Sequence, residues 1–163
     1  MDYYDEISQG YEKLHKEEQL NKLSIVKKYI KPKSNEKLLD VGCGTGISSD
    51  FNCIVYGIDS SEELISILKR NERNVISCIG YAEDLPYDDN FFDYVISLTA
   101  IQNFNDIEKG LMEMKRVGKS CFIVTFLKNS PKKELILNSI KNIFGEYKLV
   151  EEAKDLIVFI QNI

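Results

Sequence analysis

LLDVGCGTG, residues 38–46, is the stretch whose reading decides the fold. A short apolar run there meets three of the chain's nine glycines, Gly42, Gly44 and Gly46. Glycine packs no side chain and loses more backbone entropy on folding than any other residue, so such a cluster needs a geometric cause. Positive φ torsions after a strand are one cause, and close approach of a ligand to bare main chain is another. Asp40, just ahead of the loop, bears on the second. A carboxylate repels phosphate and attracts an ammonium or sulfonium group. The spacing G-x-G-x-G also departs from the G-x-G-x-x-G fingerprint of dinucleotide sites. The expected ligand is cationic near the loop.

Outward from this stretch, apolar runs and helical periodicities alternate. Strands are expected at 37–41, 53–58, 74–79, 92–98 and 120–127. Helices are expected over 17–30, 60–71 and 105–117, and from Ser130-Pro131 to Gly145. Ser60 and Glu63 stand at capping-box spacing ahead of the second helix. The final runs, 147–150 and 155–161, lie too close in sequence for a parallel crossover and predict an antiparallel hairpin. The order describes an α/β protein. Its sheet is doubly wound, Rossmann-like and mostly parallel, with seven strands and an antiparallel hairpin at the C-terminus.

Ligands of such sheets bind beyond the carboxyl ends of the strands, where strand order reverses. The glycine loop follows the first strand. Asp59 closes the second strand, the place from which a carboxylate accepts hydrogen bonds from ribose hydroxyls. A plain strand-to-helix turn, with Asp59 capping the helix at Ser61, is the competing explanation of the same residues.

The bulk properties fit one soluble domain. The chain has 163 residues, 29% of them charged, and a net charge of −5. That balance does not indicate a nucleic-acid partner, although Lys27, Lys28, Lys31, Lys33 and Lys37 are close enough to form a local patch. Four scattered cysteines and one histidine, His15, offer no metal-ligand spacing. No run reaches the roughly 20 apolar residues of a membrane span. A reduced, cytoplasmic protein is expected.

The successive segments LLDVGCGTG, VYGIDSSEELI, AEDLPYDDNFFDYVISLTAIQNF and EKGLMEMKRV resemble the motifs of class I S-adenosylmethionine-dependent methyltransferases. The nearest set is methyltransferase type 11, related to enzymes of ubiquinone and menaquinone biosynthesis. The resemblance covers roughly Lys37 to Leu127. It implies a single methyltransferase domain over 1–163, with residues 1–30 as an N-terminal lid or helix segment, and S-adenosyl-L-methionine as cofactor. It further implies that Asp40 and the Gly42–Gly46 backbone, with Cys43 between the glycines, hold the methionine part. Asp59, with Ser60 beside it, takes the ribose hydroxyls. Ala82 and Glu83 flank adenine, while Ser97, Leu98 and Thr99 line the side toward which the methyl points. Tyr4 and Tyr11 close over the cofactor.

Three departures stand out. Tyr81 occupies a position where the family often has Asp, so either Glu83 takes the adenine amino group or Tyr81 stacks on the ring. Only 13 positions separate Gly46 from Asp59, leaving room for one helical turn. Gln102-Asn103 stands where a His-His pair is common.

Methyl transfer from a sulfonium is an in-line displacement that proximity, alignment and desolvation can accelerate. It needs a general base only when the nucleophile holds its proton at neutral pH. Asn103 is a candidate for orienting an acceptor. As a base, His15 could enter from the lid, but a lone histidine on a charged helix is more often a solvated residue. The acceptor, the oligomeric state and any catalytic residue are not encoded legibly. Two other classes stand beside the enzyme reading: a cofactor-binding subunit without turnover, and a nicotinamide-linked oxidoreductase, which the glycine spacing disfavours.

Overall fold

The computed structural model describes residues 3–162, with side chains from residue 13 onward. Helix α1 (Tyr3–Tyr29) leads into β1 (Lys37–Val41), a 3-10 turn (Ile47–Ser49), β2 (Ile54–Asp59) and α2 (Glu62–Arg70). Next come β3 (Ile76–Ile79), β4 (Phe92–Leu98), a second 3-10 turn (Ile101–Asn103) and α3 (Ile107–Val117). The chain ends with β5 (Gly118–Leu127), α4 (Lys133–Phe144), β6 (Lys148–Glu152) and β7 (Asp155–Gln161). The seven strands form one sheet in the order β3-β2-β1-β4-β5-β7-β6. Strands β1 to β5 pair in parallel, and β7 runs antiparallel to both β5 and β6. This is the expected α/β architecture.

Strand alternation divides the core. Leu39, Val95, Phe122 and Val124 face one way and pack with Leu111 and Met114 of α3 and Ile136 and Ile140 of α4. Their neighbours Leu38, Ile96, Cys121 and Ile123 face the other way and pack with Leu23 and Val26 of α1 and with Ile30 just after it. Each run is apolar throughout because both faces are covered. Phe122 and Leu111 are fully buried; truncating such a side chain to alanine typically costs about 2–5 kcal/mol.

Three local corrections follow, two of them from capping chemistry. Helix α1 begins well before residue 17 and reaches back to Tyr3. The cap of α2 is Ser61, not Ser60: its hydroxyl accepts the Leu64 N–H at 3.2 Å, while its own N–H donates to Asp59. For α4, Ser130 and Pro131 form a lead-in turn rather than the cap; Ser130 Oγ accepts the Lys132 N–H, and the regular helix starts at Lys133.

Two crossovers are abbreviated, and both shape the site. Between β1 and β2 the short segment makes only the three-residue 3-10 turn, and α1 packs against it. Between β3 and β4, residues 80–91 contain no helix. They are pinned instead by Arg116 of α3, which donates to the carbonyls of Leu85 and Tyr87 at 2.9 and 2.8 Å and pairs with Glu113 and Asp89. Glu113 in turn accepts the Leu85 N–H at 3.0 Å.

Candidate functional site

Strand order reverses between β1 and β4, and a cleft of ≈ 430 Å³ opens there at the carboxyl ends of the strands. Its floor is the loop Gly42–Thr45 after β1. Ile58, Asp59 and Ser60 form one side and Gly80–Glu83 the next. Leu98, Thr99 and Ala100, with Asn103, Phe104 and Asn105 beyond them, form the opposite side. Helix α1 contributes His15 and Gln19, one turn apart on the same helical face.

The glycine loop has the torsions it needs. Gly42, Gly44 and Gly46 adopt φ of 80°, 54° and 81°, the left-handed region that glycine enters without strain. At Gly42 a Cβ would also lie 2.5 Å from the Ala100 Cβ, so the loop passes flush against the end of β4. At Gly44 a Cβ would meet only Leu64, at 3.9 Å. That face of the main chain is open to the cleft.

Asp59 joins loop and helix. Its Oδ2 accepts the Gly44 N–H at 2.9 Å and its Oδ1 accepts the Ser61 N–H at 2.9 Å. A carboxylate oxygen has about two acceptor sites, so each oxygen keeps one for a ligand donor. The carboxylate is thereby fixed in orientation and still able to take a vicinal pair of hydroxyls.

Asp40 lies behind the loop rather than on the cleft wall. It is 1% exposed, and Ser49 Oγ donates to its Oδ2 at 2.6 Å. Among the described residues its Oδ1 has no hydrogen-bond partner. Burial, against the Ser49 hydrogen bond and with a further push from Asp59, raises its pKa from 3.8 to about 7. Among the described residues, the carboxylates on the wall itself are Asp59 and Glu83. Cys43 borders the cleft, but its thiol packs where a Cβ of Gly57 would sit, and burial keeps it firmly protonated.

The remaining expected residues fall as follows. Tyr81, Ala82 and Glu83 share the wall; Tyr81 is 56% exposed, and Glu83 accepts the Asp106 N–H at 3.0 Å, tying the β3–β4 loop to the start of α3. Ser60, Leu98 and Thr99 border the cleft. Gly46 does not; it caps the first 3-10 turn. Ser97 is fully buried and donates to the Val41 carbonyl at 2.9 Å, locking β1 to β4. The side chains of Tyr3, Tyr4 and Tyr11 lie outside the described residues.

Thr99 has φ 53°, a strained torsion for a β-branched residue. Its N–H is held by both the carbonyl and the hydroxyl of Thr125, at 3.0 and 2.9 Å. Sequence patterns did not mark Gln19 or Asn105 as wall residues, and His15 was expected in solvent. Their placement depends on the angle at which α1 crosses the sheet, which no local signal sets.

Comparison with known proteins agrees with this geometry. The chain is 33% identical over 156 residues to an uncharacterised protein of Methanocaldococcus jannaschii, covering 93% of this chain and 60% of the other. It is 31% identical to a demethylmenaquinone methyltransferase of Chlorobaculum tepidum, over 72% of this chain and 52% of that one. The chain thus spans about half to three-fifths of the length of these relatives. Among solved structures, a complex between the Haloferax volcanii Trm112 methyltransferase activator and a methyltransferase superposes with a TM-score of 0.76. It covers 99% of this chain and 98% of that one at 14% identity, a likeness of fold. A family model described as a methyltransferase domain matches residues 39–121, about half of the chain, and the chain belongs to that methyltransferase family.

Proposed function

We propose that this chain binds S-adenosyl-L-methionine in the cleft and transfers its methyl group to an acceptor. The observation that carries the reading is the convergence of the open Gly44 backbone, the doubly anchored Asp59 carboxylate and the Tyr81–Glu83 loop on one cavity. The donor set fits the cofactor's chemistry. The bare loop admits the methionine part, Asp59 takes the ribose hydroxyls, and Tyr81, Ala82 and Glu83 border the space for adenine. Asp59 and Glu83 are the wall's carboxylates among the described residues, which suits a ligand that is cationic at sulfur and at its amine.

The bound cofactor supplies an activated methyl on a sulfonium leaving group. What the chain supplies is alignment and exclusion of water: Leu98, Thr99 and Phe104 border the acceptor side, and α1 covers the mouth through His15 and Gln19. The lid role of α1 and the cytoplasmic location are parts of the same proposal. Among the described residues, no helix is long and apolar enough to cross a membrane.

Calorimetric titration tests the reading. The parent chain is expected to bind S-adenosylmethionine in preference to NAD(H). Asp59→Ala is expected to weaken binding ten- to a hundredfold, equivalent to about 1.5–3 kcal/mol for a charge-assisted hydrogen bond. An Asp59→Ala variant that binds as tightly as the parent contradicts the ribose assignment. Tight binding with no methyl transfer to any acceptor supports the cofactor-binding subunit instead.

A further inference from the structure

Among the described residues, the cleft wall carries five titratable side chains: His15, Cys43, Asp59, Tyr81 and Glu83. Four have other roles or the wrong chemistry. Burial holds the Cys43 thiol protonated. Asp59 is bound to two backbone N–H groups. Glu83 accepts from the Asp106 backbone, on the side proposed for adenine. Tyr81 carries a phenol, a proton donor at neutral pH. Imidazole is the one group type among the five that takes and releases a proton near neutrality.

His15 lines the cleft from α1, as Asn103, Phe104 and Asn105 do from the chain after β4. Its side chain is exposed as well as cleft-lining, which gives a proton taken inside the cleft a direct exit to bulk water. The amides opposite it are neutral, and among the described residues no lysine or arginine lines the cleft. Asp59 and Glu83 are charged groups that line the same cleft, and Lys13, Lys16, Glu17 and Glu18 neighbour His15 on its own helix.

We propose that His15 is the general base of methyl transfer and that the acceptor is a small nucleophile whose O–H, S–H or N–H proton must leave. The claim rests on the methyltransferase reading above. The acceptor's lone pair forms the bond to the methyl carbon as the carbon–sulfur bond breaks, its electron pair returning to sulfur to give the neutral thioether. The acceptor's proton passes to the unprotonated ring nitrogen of His15, and the resulting imidazolium loses it to water.

His15 is the chain's only histidine, so its ring resonance is unambiguous in an NMR spectrum. Saturating S-adenosylhomocysteine is expected to shift that resonance. An unchanged resonance, with binding confirmed by calorimetry, places His15 outside the site and overturns the proposal. Methyl transfer is then measured from S-adenosylmethionine to three probe classes: phenols, alkyl thiols and primary amines. His15→Gln is expected to bind S-adenosylhomocysteine but to transfer methyl about a hundredfold more slowly at neutral pH, the usual lower bound for a lost general base. The deficit should close as pH rises through the acceptor's own ionisation, because an ionised nucleophile needs no base. A deficit independent of pH, or no deficit, overturns the base assignment. No transfer to any probe class by a chain that binds S-adenosylhomocysteine overturns the acceptor class. Absence of binding overturns the reading beneath it.

Discussion

Two aspartates separated by one strand and one loop behave in opposite ways, and burial decides which is which. Asp59 ends β2 at the cleft and is held by the Gly44 and Ser61 amides. Asp40 is sealed beneath the loop with only Ser49 donating to it. In the unfolded chain Asp40 titrates near its ordinary 3.8, whereas in the folded chain it titrates at about 7. Between those values the folded state holds a proton that the unfolded state lacks, so stability falls as pH rises across that window and levels off above it. Asp40→Asn keeps an acceptor for Ser49 and removes the buried charge. Thermal unfolding is expected to show the variant more stable than the parent at pH 8, by on the order of a few kcal/mol, with the gap closing toward pH 4. A gap that does not vary with pH contradicts a neutral Asp40 in the acid range. Sequence alone showed an acid beside the glycines and suggested a charged rim. It did not show that the strand carrying Asp40 turns that side chain inward, because facing depends on the packing of α1 and the 3-10 turn.

At the scale of elements, the loop over residues 80–91 replaces a crossover helix and has few means of holding its shape. Arg116 supplies them by donating to two loop carbonyls while pairing with Glu113 and Asp89. An arginine fork holding carbonyls and carboxylates together is not reproduced by a shorter side chain. Arg116→Ala is expected to cost on the order of 2 kcal/mol. It should also speed amide hydrogen exchange across residues 80–91 and weaken cofactor binding through Tyr81–Glu83. Unchanged exchange there means that the loop is held by other contacts, such as the packing of Leu85. Elements defined by long periodic or apolar runs were legible: β1, β4 and β7 begin and end where the runs do. Boundaries set by side-chain capping were not, as Ser61 and the lead-in turn of α4 show. Helix α1 was legible only in its second half, where Leu23 and Val26 meet the sheet.

The whole molecule is a twisted sheet whose strand order reverses once, between β1 and β4, and the cleft sits at that reversal. Topology therefore brings the Gly42–Thr45 loop, Asp59, Tyr81–Glu83 and Leu98–Thr99 together although up to 57 positions separate them in sequence. Those segments follow the first four strands, which is why the cofactor side of the site was readable from motif order. The other side was not, because it joins His15 and Gln19 of α1 to the chain after β4 only through tertiary packing. The account's central claim is that this cleft receives the adenosyl cofactor. A crystal structure of the chain grown with S-adenosylhomocysteine tests it most directly. The account predicts ligand density with the ribose hydroxyls on Asp59, the amino-acid part over Gly42–Thr45 and adenine against Tyr81–Glu83. Ligand bound elsewhere, or a cleft closed by the chain's own side chains, would contradict it.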